Sequence, residues 1–84
     1  MKKNILVIAR RNKVEALRIA AGLTLLDDAV KLAVLGSLED TPAMREQIEV
    51  LEFAEVPMQR YDEHGIADPA LARDVIGADA VYIV

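Results

Sequence analysis

The clearest candidates for chemistry in this chain are three cations that directly follow its first apolar run. Arg10, Arg11 and Lys13 come after Ile5–Ala9, and Asn12 lies among them. At the start of a helix, free backbone N–H groups together with cations can hold a phosphate, a sulfate or a carboxylate. The glycines of a phosphate-cradling loop are missing. The sequence therefore predicts an anion site here, with a solvated basic turn as the alternative.

Three polar residues that follow later apolar runs are added to this predicted anion site. Imidazole titrates near neutral pH, but His64 is the only histidine, and the chain has no cysteine. Ser37 follows a glycine without the Gly-x-Ser-x-Gly pattern of an activated serine, and Tyr61 ends a predicted strand. The alternative is that all three are ordinary loop or strand residues with no role in binding. We expect no catalytic residue, no metal and no cofactor, and a chain without cysteine has no thiolate chemistry.

Alternating strands and helices are predicted to position these residues. Continuous aliphatic runs are typical of strands covered on both faces. Each intervening helix has a start signal, namely Asn12 with Glu15 three residues on, Thr41-Pro42 and Asp68-Pro69. The predicted strands are 3–9, 29–36, 56–61 and 80–84. The predicted helices are 14–26, closed by Asp27-Asp28, then 42–55 and 69–77.

This β-α-β-α-β-α-β order predicts one α/β domain over residues 1–84. Its sheet would have four parallel strands with helices on both faces, a three-layer doubly wound arrangement. Right-handed crossovers allow the strand orders 2-1-3-4 and 3-2-1-4. Ligands of such sheets gather outside the carboxyl ends of the strands, where the loops 10–13, 37–41 and 62–66 would lie.

Charge and hydropathy narrow the class of protein. The net charge of −4 disfavours a general nucleic-acid binder, which needs a basic surface. No apolar run approaches the roughly 18–20 residues of a membrane helix. The first apolar run is too short for a secretory signal and is followed by two arginines. We expect a cytoplasmic protein that binds neither nucleic acid nor membrane.

The apolar content predicts self-association. A chain of 84 residues hides only about 60–65% of its unfolded surface, and no cysteine is present to staple it. Its hydrophobic fraction of 54% exceeds the usual value of about 45–50%. The first helix is apolar on two adjacent faces, more than one sheet contact requires. We expect a homo-oligomer, from dimer to hexamer, whose interface contains Ala16, Ile19, Ala20, Leu23 and Leu26.

The segment ALRIAAGLTLLDDAVKLAVLG, residues 16–36, resembles the DsrE/DsrF/DsrH-like family, small α/β proteins of bacterial sulfur-relay systems. The resemblance covers residues 3–36 well and 49–84 more loosely. It implies a doubly wound parallel sheet and assembly through helices. Family members that carry persulfide sulfur use a cysteine near the end of a later strand, where this chain has Arg60–His64 instead.

Two functions remain open at this point. The resemblance implies a non-catalytic oligomeric binding or assembly protein, an accessory of intracellular sulfur metabolism that works with a cysteine-bearing sulfur-relay partner. The alternative is a protein or enzyme that binds a small anion or a nucleotide at Arg10–Lys13. A receiver-like phosphotransfer module is disfavoured, because no acidic pair follows the first strand.

Overall fold

Four parallel strands and three α-helices alternate along the chain in the computed structural model, which describes residues 3–26 and 28–84. The strands pair in the order β3-β2-β1-β4. This confirms the predicted α/β architecture and selects the order 3-2-1-4 over 2-1-3-4. The elements are β1 Asn4–Ala9, α1 Lys13–Leu23, β2 Ala29–Leu35, α2 Pro42–Phe53, β3 Met58–Tyr61, a short 3₁₀ helix Gly65–Ala67, α3 Pro69–Gly77 and β4 Ala80–Ile83.

The central strand β1 explains why the first apolar run is continuous. It pairs in parallel with β2 on one side and with β4 on the other, so that Ile5 lies between Val30 and Ala80. Five of its six residues are buried, because helices cover it on both faces. β2 has the same pattern, whereas β3 and β4 lie at the two edges of the described sheet and are more exposed.

One face of the sheet, the α1/α2 face, is covered by two helices that also contact each other. Ile5, Val7 and Ala9 of β1 point to this face, together with alternate residues of β2. The helices contribute Ala16, Leu17 and Ala20 from α1, with Met44 and Leu51 from α2, all buried.

The opposite face, the α3 face, has a smaller core. Leu6 and Ile8 of β1 and Ala33 and Leu35 of β2 pack there. Among the described residues of α3, Leu71 alone is buried. α3 crosses this face because the chain must return from β3, past β2 and β1, to reach β4.

The three predicted helix caps are present. The Asn12 side chain accepts a hydrogen bond from the Glu15 N–H, and the Thr41 hydroxyl oxygen accepts one from the Met44 N–H. The Asp68 carboxylate accepts a bond from the Ala70 N–H at 2.8 Å. Each cap satisfies one of the N–H groups that a helix start leaves unpaired.

The first helix is shorter than predicted, since α1 ends at Leu23 and not at Leu26. The N–H groups of Thr24, Leu25 and Leu26 donate to carbonyls three residues back, at 3.1–3.2 Å. Such bonds tighten the last turn of a helix and end it. Asp27, predicted to help close this helix, lies outside the described residues.

The predicted third strand also begins later, at Met58 instead of Val56. Proline has no N–H to donate to a strand ladder, and Pro57 joins β2 only through its carbonyl, which accepts the Leu32 N–H at 2.9 Å. The 3₁₀ helix Gly65–Ala67 lies in a segment predicted as a loop.

No helix in the described part of the chain is long and apolar enough to cross a membrane.

Candidate functional site

The loops after β1 and β2 enclose an open cleft at the carboxyl edge of the sheet. Its volume is about 400 Å³. The position agrees with the rule that parallel sheets bind ligands outside the carboxyl ends of their strands. Its polar lining residues are Arg11, Asn12, Lys13, Ser37, Glu39 and Thr41.

The Lys13 side chain ties the two loops together. Its ammonium group donates a hydrogen bond of 2.8 Å to the carbonyl oxygen of Ser37. It passes close to Gly36, where a Cβ atom would lie 3.1 Å from Lys13 Nζ. Gly36 also has a φ of +79°, a left-handed conformation that favours glycine. Gly36 therefore makes the turn and leaves room for the ammonium group beside it.

The cleft has an uneven balance of charge. Arg11 and Lys13 bring two positive charges, and Glu39 brings one negative charge. Asp40, next to Glu39, is engaged with Arg45, with 2.9 Å between the carboxylate oxygen and the guanidinium Nε. The starts of α1 and α2 border the same cleft and add the positive ends of two helix dipoles. A small anion is the ligand that this arrangement suits.

The structure brings together part of the predicted anion site. Arg11, Asn12, Lys13 and Ser37 line the cleft, whereas the other predicted members do not. The side chain of Arg10 is exposed, and its backbone N–H donates to the Val84 carbonyl at 2.9 Å.

The two remaining predicted members, Tyr61 and His64, do not line the cleft. His64 is exposed, and its Nε2 atom lies 3.4 Å from the Glu63 carboxylate. Tyr61 packs on the α3 face. Burial, and next the negative charge of Asp74, raise the pKa of Tyr61 above its ordinary value. Tyr61 therefore keeps its proton at neutral pH and adds no charge to an anion site.

Sequence reasoning missed Glu39 and Thr41 as lining residues of the cleft. Both lie in the predicted loop after the second strand, so their position was a usable signal. A carboxylate is not expected beside an anion site, because its negative charge repels the ligand. Glu39 is therefore the lining residue that most weakens the predicted attraction for an anion.

A larger groove of about 540 Å³ lies at the opposite, amino edge of the sheet. Lys31 of β2 and Asp74 of α3 pair there at 2.8 Å, and Asp28, Glu55 and Arg73 also line the groove. Because its two cations face three carboxylates, the groove attracts an anion less than the smaller cleft does. We therefore place the candidate site at the carboxyl edge.

Within residues 3–26 and 28–84, no group of three or more histidine, aspartate or glutamate residues could hold a metal ion. Polar and charged side chains are likewise absent from the buried residues of this described part. The cleft can attract and hold an anion, and its geometry displays no nucleophile paired with a base.

The predicted helical interface needs a correction. Ala16 and Ala20 are fully buried against the chain's own sheet, so they present no surface to a partner. Small residues lie there because the helix approaches the sheet closely. Ile19 and Leu23 are half-buried and Leu26 is exposed, and for these three residues the interface stays a prediction.

Comparison with known proteins adds no family to this geometry. No protein-family model matches the sequence, and no curated protein matches it. The likeness to DsrE/DsrF/DsrH-like proteins therefore depends on the sequence pattern alone.

Proposed function

We propose that the chain is a non-catalytic binding and assembly protein of the cytoplasm that works as a homo-oligomer. Its resemblance to DsrE/DsrF/DsrH-like proteins supports an accessory role in intracellular sulfur metabolism, beside a partner that carries the reactive cysteine. The observation that carries the assembly part is the exposure of large apolar side chains.

These side chains are concentrated at the carboxyl ends of the helices. Phe53 ends α2 and is 92% exposed, Ile76 in the last turn of α3 is 84% exposed, and Leu25 just after α1 is 88% exposed. Helices between parallel strands run opposite to them, so all three ends lie at the amino edge of the sheet. Single exposed apolar residues are common, but several at one edge mark an interaction surface.

Sedimentation equilibrium of the unmodified chain tests this proposal. One chain has a mass of 9.2 kDa, and we expect an average mass at least twice that at micromolar concentration. A mass that stays at that of one chain up to the highest soluble concentration would overturn the assembly proposal.

A second function, anion binding in the carboxyl-edge cleft, is supported by the Lys13 bridge over Gly36 and by Arg11 beside it. We expect phosphate or sulfate to raise the midpoint of thermal unfolding beyond chloride at equal ionic strength, because a ligand that binds only the folded state stabilises it. Arg11→Ala should weaken this binding about tenfold, as expected for the loss of one charged hydrogen bond.

Two further variants make the anion test specific. Arg10→Ala removes the same charge one residue away, outside the cleft, and should leave the thermal shift nearly unchanged. Glu39→Gln removes the opposing charge and should increase the shift. Equal losses in the Arg10 and Arg11 variants would show general charge attraction and would exclude a site in the cleft.

A further inference from the structure

The two edge strands of the sheet differ in how they meet solvent. β3 is preceded by Pro57 and carries Gln59 and Arg60, both exposed. Prolines and charges are devices by which proteins prevent an edge strand from pairing with another chain. β4 has none of them, because the run Ala80–Val84 is entirely uncharged and apolar apart from the tyrosine hydroxyl.

β4 also exposes apolar side chains on both faces of the sheet. Tyr82 lies beside Val7 of β1 and points to the α1/α2 face, where it is 44% exposed. Ile83 lies beside Ile8 and points to the α3 face, where it is 58% exposed. An apolar edge strand of this kind is a template for pairing with a further strand.

α3 leaves the β4 side of its face open. Asp74 lies on the flank of α3 toward β2, because its carboxylate pairs with Lys31. Successive helical residues are rotated by about 100°, so Val75 lies on the other side of the buried Leu71 from Asp74, toward β4. Val75 is exposed, so with Ile83 it extends the apolar edge along the α3 face.

We propose that this edge pairs with the β4 edge of a second copy of the chain. The two β4 strands would run antiparallel about a two-fold axis at Tyr82, which joins the two sheets into one of eight strands. This inference depends on the proposed homo-oligomer and adds to its apolar amino edge a second contact surface, the β4 edge. The run Ala80–Val84 is centred on Tyr82, so Ala80 would face Val84 of the other copy, and Val81 would face Ile83.

Charge complementarity supports a second copy as the occupant. Asp79 precedes β4, and the Arg10–Arg11 turn lies at the other end of that strand, where both arginine N–H groups donate to the Val84 carbonyl at 2.9 Å. An antiparallel pair brings Asp79 of each copy toward the Arg10–Arg11 turn of the other. Opposite charges therefore meet twice in one two-fold contact.

The competing contact, β4 of one copy against β3 of the next, is disfavoured. It would place Pro57 and Arg60 at the junction, and it would leave a free edge at each end. A head-to-tail contact that does not close produces filaments, whereas the two-fold contact uses both apolar edges and closes as a dimer.

Single cysteines test the geometry directly, since the chain has none of its own. The backbone groups of Val84 bond to β1, and those of Tyr82, two residues earlier, face the same way. The two Tyr82 residues would therefore form a non-hydrogen-bonded antiparallel pair, with Cα atoms about 4.5 Å apart, within the range of a disulfide. Tyr82→Cys should form a covalent dimer on mild oxidation, and Gln59→Cys on the other edge should stay monomeric in denaturing electrophoresis. Equal cross-linking of the two variants would contradict the proposed axis.

Sedimentation of charge variants is a second, independent test of the β4 contact. Tyr82→Lys places two like charges directly opposite each other, which is destabilising, and should raise the dimer dissociation constant at least about tenfold. Gln59→Lys, which adds the same charge on the exposed β3 edge, should leave that constant unchanged, with circular dichroism confirming the fold of both. If the oligomer has the same mass with and without Tyr82→Lys, this inference is wrong and the proposed function stands. If the unmodified chain is a monomer, both are wrong.

Discussion

The two faces of the sheet differ in how completely the chain covers them. On the α1/α2 face, two helices in mutual contact contribute Ala16, Leu17, Ala20, Met44 and Leu51 to the core. On the α3 face, the described helix α3 contributes the buried Leu71 alone, and Ile83 of β4 stays exposed. Helices therefore cover the α1/α2 face of the sheet fully and the α3 face only in part.

This difference predicts where the molecule opens first and where it associates. Segments with few buried apolar contacts unfold locally at lower free energy than the core. α3 belongs to that class, whereas α1 belongs to the core. The open part of the α3 face adjoins β4, which is why we place the contact with a second copy there.

Truncating one buried leucine on each face should have the largest effect. Leu17→Ala and Leu71→Ala should each cost about 2–5 kcal/mol of the free energy of unfolding. Leu17→Ala should raise hydrogen exchange throughout the chain, because α1 belongs to the main core. Leu71→Ala should raise it mainly in α3. Uniform exchange across the chain in both variants would remove the distinction between the faces.

Alanine substitutions at two glycines should change the free energy of unfolding by intermediate amounts and in opposite directions. A Cβ atom at Gly65 would lie 2.6 Å from the Cβ of Tyr61, so Gly65→Ala should cost about 1–3 kcal/mol through overpacking on the α3 face. Gly22 of α1 has no atom within 4 Å of its own Cβ position. Gly22→Ala should therefore gain about 0.5–1 kcal/mol, which urea unfolding of both variants would measure. Equal changes would mean that the space around Gly65 is not tight.

The smallest effect concerns pH. The raised pKa of Tyr61 means that the folded chain holds this proton more tightly than the unfolded chain does. The resulting stabilisation is fully present below about pH 10, the ordinary pKa of tyrosine, and is lost as the pH rises through the raised pKa. The unfolding free energy of the parent should therefore fall relative to that of Tyr61→Phe above that pH, as measured by urea unfolding of both proteins across this range. A constant difference would contradict the placement of Tyr61 against Asp74.

The sequence was sufficient for the alternation of elements and for the caps at Asn12, Thr41 and Asp68, since these depend on local chemistry. The end of α1 was not predictable, because the apolar pattern continues through Leu26 while the backbone tightens after Leu23. An apolar pattern also does not show which helix face meets the chain's own sheet. For that reason Ala16 and Ala20 were assigned to a partner contact and are instead buried in the core.

The sequence predicted only the part of the anion site that lies in the loop after β1 and in the loop after the neighbouring strand β2. Arg11, Asn12 and Lys13 are consecutive, and the parallel order brings Ser37 beside them. The assignment of Tyr61 and His64 to that site assumed that all carboxyl-edge loops converge. The loop after β3 does reach Gly36, where a Cβ atom would lie 3.4 Å from the Cβ of Glu63. Tyr61 and His64 stay out of the site because Tyr61 packs on the α3 face and the His64 side chain is exposed.

Hydrogen exchange at the amides of Val81 and Ile83 tests the central claim most directly. The Val84 N–H donates to Ile8 of β1 at 3.0 Å, and N–H groups alternate in direction along a strand, so the Val81 and Ile83 N–H groups point away from β1. In the proposed dimer, the Val81 N–H bonds to the Ile83 carbonyl of the other copy, and the Ile83 N–H bonds to its Val81 carbonyl. We expect the exchange of both amides to slow markedly as concentration rises through the dimer range. Fast exchange at every concentration, in a chain shown to be oligomeric, would contradict pairing through β4.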